Sequence, residues 1–180
     1  MSTTLRRSVL LKYPNKIFVE TGTHMGDGVA MALACGFEKI YSVELNPELV
    51  TRAEQIFAKQ ISDGQVEIWQ GDTIEIFPKL INSIDAPATF WLDAHWDGGP
   101  MGKYKCPLPV ELETIANHSI KTHSILIDDR RLFDVKGSNW GEGIVEAEIL
   151  QLLHKINPQY EITFEDGFIP NDVIAAKINA

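Results

Sequence analysis

Strand-length apolar runs alternate along this chain with longer stretches of helical spacing, and that alternation admits few folds. The runs are "KIFVE" (16–20), "KIYSVE" (39–44), "VEIWQ", "TFWLD" (89–93) and "SILIDD" (124–129), each β-branched or aromatic at its centre. Between them lie segments of helical spacing at about 27–36, 47–60, 73–82 and 108–118. Strands that alternate with helices of this length build an α/β domain around a parallel sheet, because each helix carries the chain back to the starting edge. Asn46, Pro47 and Glu48 predict one helix start: a capping side chain, a first-turn proline and an acid suited to the helix dipole. Asp72 with Glu75 repeats the pattern more weakly. After the fifth run a polar loop, "RRLFDVKGSNWGEG", leads to an amphipathic helix around 143–156. "YEITFEDGF" and "DVIAAKI", joined through "IPN", then predict two strands that return antiparallel. No repeat or linker composition divides the chain, so residues 1–180 are expected to form one domain.

The acids at the strand ends carry the functional argument. Glu20, Glu44, Asp93 and the pair Asp128–Asp129 close four of the runs, and Asp72 follows the third after one glycine. In an open parallel sheet all carboxyl ends meet one edge, where the ligand crevice lies. Carboxylates that converge without partners repel and raise one another's pKa, so positive charge is expected among them. The formal charge of −9 argues against a surface built for nucleic-acid phosphates. Cys35 and Cys106 are too few for a disulfide framework, and no run approaches the length of a membrane span, so a soluble cytoplasmic protein is expected.

The turn after the first run, "FVETGTHMGDG" (18–28), places three glycines beside Glu20, where a backbone bends sharply or lies against a ligand. Glu44, ending the second run, suits both hydroxyls of a ribose, and Asp72 suits an adenine amino group. The glycine spacing G-x-x-x-G-x-G departs from the dinucleotide fingerprint G-x-G-x-x-G, and an acid before the first glycine favours a ligand with an ammonium group over a pyrophosphate. A nicotinamide oxidoreductase and a non-catalytic nucleoside-binding module stay open as rival readings.

With these residues in hand, the chain resembles class I S-adenosylmethionine-dependent methyltransferases from about Lys16 to Ile178, in the branch of the catechol O-methyltransferase-like and macrolide-sugar O-methyltransferase-like enzymes. "VETGTHMGDG" resembles their first motif, with His24 where many members carry a second glycine. "SVELNPE" resembles their ribose-binding segment, "FWLDAHW" their fourth-strand motif with Ala94 as an extra residue, and "LIDDRR" the acid pair that completes a metal site. The resemblance implies a seven-stranded, mostly parallel Rossmann-like sheet with helices on both faces and an antiparallel C-terminal strand pair. It implies a donor site at Glu20, Gly22, Thr23, His24, Gly26, Glu44, Leu45, Asp72, Thr73, Asp93, His95 and Trp96. It also implies a divalent cation, Mg²⁺ by the hardness of the oxygen donors, on Asp93, Asp128 and Asp129.

The activity implied is methyl transfer from S-adenosylmethionine to a hydroxyl of a small molecule, with the cation lowering the pKa of the bound hydroxyl. A metal-independent N- or O-methyltransferase is the alternative. His95, Lys103 and Lys105, in the glycine-rich segment "HWDGGPMGKYKCP" (95–107), are the candidate general bases, and that segment is placed to act as a lid. Asn139 and Trp140 are candidates to border the acceptor pocket. Arg130 and Arg131 either hold an acidic acceptor or neutralise the neighbouring aspartates. Only about fifteen residues precede the first run, so the acceptor site is expected to be open or completed by a second copy of the chain.

Overall fold

The structure, a computed structural model, describes residues 4–95, 102–135 and 143–179. A seven-stranded sheet forms its centre: β1 (Ile17–Thr21), β2 (Lys39–Glu44), β3 (Val66–Gln70), β4 (Ala88–Leu92), β5 (Ser124–Ile127), β6 (Glu161–Glu165) and β7 (Val173–Lys177), in spatial order 3-2-1-4-5-7-6. Strands β1 to β5 pair in parallel, and β7 runs antiparallel between β5 and β6. The order reverses between β1 and β4, whose carboxyl ends therefore flank the crevice where such sheets bind ligands.

Side-chain alternation along the strands divides the core in two. Val19, Val43, Phe90, Leu92, Ile125 and Ile127 face α5 (Thr73–Ile81), α6 (Leu108–Asn117) and α7 (Glu146–Ile156). Phe18, Ile40, Trp91 and Leu126 face α1 (Arg7–Leu10), α2 (Asp27–Cys35) and α3 (Pro47–Ile56). Burial of both faces explains why the central runs read as continuous apolar stretches. Asn46 caps α3 through its side chain, which accepts from Glu48 N at 2.9 Å, and Pro47 opens the helix. The stretch expected as one helix over 47–60 breaks at Phe57 into α3 and α4 (Ala58–Ser62). Phe57 turns into the core, and its ring lies where a side chain at Gly26 would stand. No helix among the described residues is long and apolar enough to cross a membrane.

At the amino ends of β4 and β5 two buried histidines tie the sheet to the end of α6. Ala88 N–H donates to His123 Nδ1 at 3.0 Å, which leaves the proton on Nε2 to bond His118 Nδ1, also at 3.0 Å. Burial lowers both pKa values, that of His123 to about 4, with His118 the next contributor. A histidine held neutral in the fold contributes stability above its unfolded pKa, near 6.5, and loses that contribution as pH falls toward 4. Buried acids such as Glu20 and Glu111 act in the opposite sense, so the pair is isolated by difference. Replacing His123→Gln and measuring chemical denaturation from pH 7.5 to 4 is expected to give a wild-type advantage that shrinks by about 3 kcal/mol on acidification. A pH-independent difference would contradict a neutral native pair.

Candidate functional site

Gly22, directly after β1, has φ of +88°, and a Cβ there would stand 2.9 Å from the Asp93 carbonyl oxygen. Glycine is the residue that meets both constraints, and the turn lies flat against the end of β4. His24 follows with φ of 46°, in the left-handed region. Histidine is among the non-glycine residues that enter it most readily, so the turn holds this conformation without a glycine at this position. His24 N–H and Asn46 N–H donate to the two oxygens of Glu44, both at 2.8 Å. Each oxygen keeps a further lone pair, so Glu44 presents a fixed acceptor pair to the crevice.

Glu20 lies one layer deeper, 1 % exposed, and accepts from Ser42 Oγ at 2.6 Å. Burial pushes its pKa up to about 8 against that hydrogen bond, and the charge of Glu44 adds to the rise. Asp72 caps α5 by accepting from Ile74 N at 3.2 Å, and its second oxygen accepts from Lys103 N at 2.6 Å. Its carboxylate is thus engaged by two backbone donors at the rim of the crevice. Glu20, Gly22, Thr23, His24, Glu44, Leu45, Asp72, Thr73, Asp93 and His95 all line one cavity of about 830 Å³, a volume in the range of small-molecule sites. Gly26 stands behind this wall, against Phe57. Residues 96–101 of the segment expected to act as a lid, Trp96 among them, and Asn139 and Trp140 lie outside the described residues.

The acids expected on a cation divide into two sets that share Asp129. Ligand atoms of Asp93, His95 and Asp129 form one group, and those of Asp128, Asp129 and Asp172 form the other. The expected trio of Asp93, Asp128 and Asp129 is therefore not a single cluster, and Asp172, from the β6–β7 loop, joins it unforeseen. Loss of solvation and then the neighbouring charges raise Asp93, while burial and Asp129 raise Asp128 to about 6. Asp129 goes the other way: burial is outweighed by the hydrogen bond from His95 and the charge of Arg131, and its pKa falls. His95 Nε2 stands 3.1 Å from Asp129 and 3.6 Å from Asp93, and Arg131 pairs with both Asp129 and Asp172. Arg131 is thus the neutralising residue of the two readings the sequence left open. Arg130 turns away to a bidentate pair with Glu146, at 2.9 and 3.0 Å.

Among the candidate bases, His95 and Lys105 line the cavity, whereas Lys103 directs its ammonium over the Tyr104 ring at 5.4 Å. Sequence reasoning missed Glu111. It is 1 % exposed, with Thr21 and Thr73 beside its carboxyl but no close hydrogen bond to it among the described residues, and burial raises it to about 8. Its signal was its position, since Leu108, Glu111, Leu112 and Ile115 share the i, i+3, i+4, i+7 stripe that α6 buries.

The arrangement has many counterparts among solved structures. The O-methyltransferase from Bacillus cereus, in complex with S-adenosylhomocysteine, superposes with a TM-score of 0.65 at 15 % identity, over 96 % of this chain and 78 % of that one. The fold is that of the class I S-adenosylmethionine-dependent methyltransferases. The O-methyltransferase TomG from Streptomyces achromogenes matches with a TM-score of 0.63 at 13 % identity, over 97 % of this chain and 78 % of that one. A bacterial methyltransferase domain, CtHen1-C, gives 0.62 at 15 %, over 97 % and 95 %. No protein-family model and no curated protein matches the sequence. The strand order and the antiparallel β7 agree with the class I expectation.

The turn geometry generates a test of packing. A methyl group at Gly28 would overlap Glu20 Oε2, and Ser42 holds that carboxyl in place. Gly28→Ala is expected to destabilise the protein by about 1–3 kcal/mol in chemical denaturation. In a Glu20→Ala background, where the space is open, the same change is expected to cost less than half as much. Equal costs in both backgrounds would contradict the contact.

Proposed function

We propose that this chain transfers a methyl group from S-adenosylmethionine to a hydroxyl of a small-molecule acceptor. The observation that carries the proposal is the fixed carboxylate pair at one end of the cavity: Glu44, set by two backbone donors to receive a ribose diol, and Glu20, buried beside the glycine turn. A diol recogniser next to an acid suits a nucleoside that carries positive charge, and the donor has both an ammonium and a sulfonium. Pyrophosphate would meet the acids Glu20 and Glu44 there, which disfavours the nicotinamide reading.

In the transfer the acceptor oxygen attacks the methyl carbon in line, the carbon–sulfur bond breaks, and the hydroxyl proton leaves. The protein's task is to hold the two reactants in register and to exclude water, and proximity of this kind supplies much of the acceleration. His95, held by Asp129 at the floor of the cavity, and Lys105 at its wall are the candidates to receive the proton. The donor set of the second group fits a hard divalent cation in chemistry: Asp128, Asp129 and Asp172 supply oxygens within reach of one another, and Asp128 Oδ1 is buried with no hydrogen-bond partner among the described residues. Bound there, such an ion would lower the pKa of the acceptor hydroxyl. A metal-independent transfer is the second reading. It is favoured by Asp129, both of whose oxygens already have protein partners, the His95 ring on Oδ2 and Arg131 on Oδ1.

Calorimetric titration tests the donor and the cation together. S-adenosylhomocysteine carries the ammonium, so its binding is expected to ionise Glu20 and to release up to about one proton per site at pH 7, with affinity rising toward pH 8. Glu20→Gln removes the release, and NADH gives no comparable binding. Mg²⁺ added to the complex is expected to bind in the wild type and not in Asp128→Asn. Donor binding without proton release would contradict the role of Glu20, and absence of a Mg²⁺ signal would favour the metal-independent reading.

A further inference from the structure

Among the described residues, Glu111 is the buried acid that neither the donor site nor the acid clusters of β4 and β5 employ. Its carboxyl lies beside Thr21, the last residue of β1, and Thr73, the first of α5. Both belong to elements that shape the donor end: Thr21 leads into the glycine turn, and Thr73 lines the cavity. Glu111 also lines a second, much smaller cavity together with Asp93, Ala94, His95 and Asp128, and these four residues line the large cavity as well. The segment from Asp93 to His95 is thus a common wall between Glu111 and the place assigned to the donor.

We propose that Glu111 is the residue by which the site distinguishes S-adenosylmethionine from the S-adenosylhomocysteine left after transfer, as a carboxylate in the first complex and a neutral acid in the second. The inference deepens the function proposed above and rests on it, with the donor at the Glu20–Glu44 end and its sulfur toward Asp93.

The surroundings of Glu111 suit its neutral form. A carboxylic acid can donate through its O–H and accept through its carbonyl, which matches two threonine hydroxyls, and Thr21 Oγ1 is itself buried without a close partner among the described residues. A carboxylate there needs a counter-charge. No lysine or arginine among the described residues pairs with it. The charged groups around it are Asp72 at the cap of α5 and Asp93 and Asp128 on the shared wall, all acids. His95, on the same wall, is held by Asp129, and burial keeps the Cys106 thiol neutral. Burial, with Asp72 adding to it, raises Glu111 to about 8, so the acid holds its proton at pH 7.

The sulfonium is the positive charge that alters this balance. As the methyl group moves to the acceptor oxygen, the carbon–sulfur bonding pair returns to sulfur, the sulfonium becomes a neutral thioether, and the acceptor gives up one proton. A carboxylate that the sulfonium had compensated loses its counter-charge in the same event and takes up one proton, so the net charge around the wall is unchanged. Ionised Glu111 therefore favours the donor, and neutral Glu111 favours neither ligand. By linkage, the preference for donor over product rises with pH through the range in which Glu111 titrates. Asp93, on the cavity side of the wall, already has the His95 ring at 3.6 Å and a hydrogen bond from Trp91. Glutamine would fill the place of Glu111 without the cost of a buried ionisable group, and a perturbed acid behind a cleft marks function.

The test counts protons. Calorimetry of S-adenosylmethionine and of S-adenosylhomocysteine binding, in buffers of different ionisation enthalpy with a chelator present, gives the number released by each. Both ligands carry the ammonium, so Glu20 contributes to both, and the excess with S-adenosylmethionine reports the sulfonium. The wild type is expected to show such an excess at pH 7. Its preference for S-adenosylmethionine is expected to grow about three- to ten-fold from pH 6 to 8.5, the size of a unit charge acting across one layer of side chains. Glu111→Gln is expected to abolish the excess and the growth, Glu111→Asp to keep part of both, and Glu20→Gln to keep both. Ligand-free protein gives a second reading. An acid near 4.5 in the unfolded chain and near 8 in the fold contributes stability at low pH that is lost as pH rises to 8. The denaturation midpoint of Glu111→Gln is therefore expected to gain on that of the wild type from pH 5 to 8. No excess in the wild type, an excess that survives Glu111→Gln or disappears only in Asp93→Asn, or a midpoint difference independent of pH would overturn the proposal. Failure of both ligands to bind would remove the donor reading and this inference with it, whereas binding of both without the excess would remove this inference alone.

Discussion

Carboxylates delivered to one rim of a sheet must each be neutralised, and most of this molecule's functional architecture follows from how that is done. A parallel sheet sends its strand ends to the same edge, so Glu20, Glu44, Asp93, Asp128 and Asp129 converge whatever their individual roles. Three devices relieve the repulsion. Glu20 and Asp93 are shifted toward the protonated form, mainly by loss of water. Glu44 and Asp72 are satisfied by backbone N–H groups that the turn and the helix start aim at them. Asp129 and Asp172 both pair with Arg131, with His95 sharing Asp129. Each device leaves a different property at the edge: a proton that can leave, a fixed pair of acceptors, and an ion-paired cluster.

These properties divide the cavity into two chemically unlike ends. The end under β1 and β2 offers acids and a glycine turn pressed against β4, which suits a positively charged nucleoside. The end under β4 and β5 mixes acids with arginines, and Arg131 lies over the Phe168 ring at 4.8 Å. A methyl transfer needs such a division, because donor and acceptor must be recognised separately yet meet over a few ångströms. The β6–β7 loop is the element that brings the second end into being, through Gly167, Phe168 and Asp172.

The strands, the helix starts at Asn46 and Asp72, and the acids at the rim were legible in the sequence because each is set by local chemistry: β-branched runs, capping side chains, and position at a strand end. What was not legible depends on distant partners. The break at Phe57 carries no glycine or proline. The Phe57 ring fills the space that Gly26, about thirty residues earlier, leaves open. Glu111 was hidden in the apolar stripe of α6, where a charged residue reads as an exposed neighbour. Arg6 and Asp172 stand near opposite ends of the chain, and only the folded sheet joins them to the acids of β5. Arg131 had two readings that sequence left equal, and the position of Asp172 decided between them.

The central claim is that the Glu20–Glu44 end of the rim receives a cationic nucleoside. Co-crystals grown with S-adenosylhomocysteine and Mg²⁺ address it most directly. The account predicts the ribose hydroxyls on Glu44, the amino-acid portion along Gly22–His24 above Glu20, and the sulfur directed toward Asp93 and the end under β4 and β5. A nucleoside bound elsewhere, or a ribose that leaves Glu44 bonded only to His24 and Asn46, would contradict it.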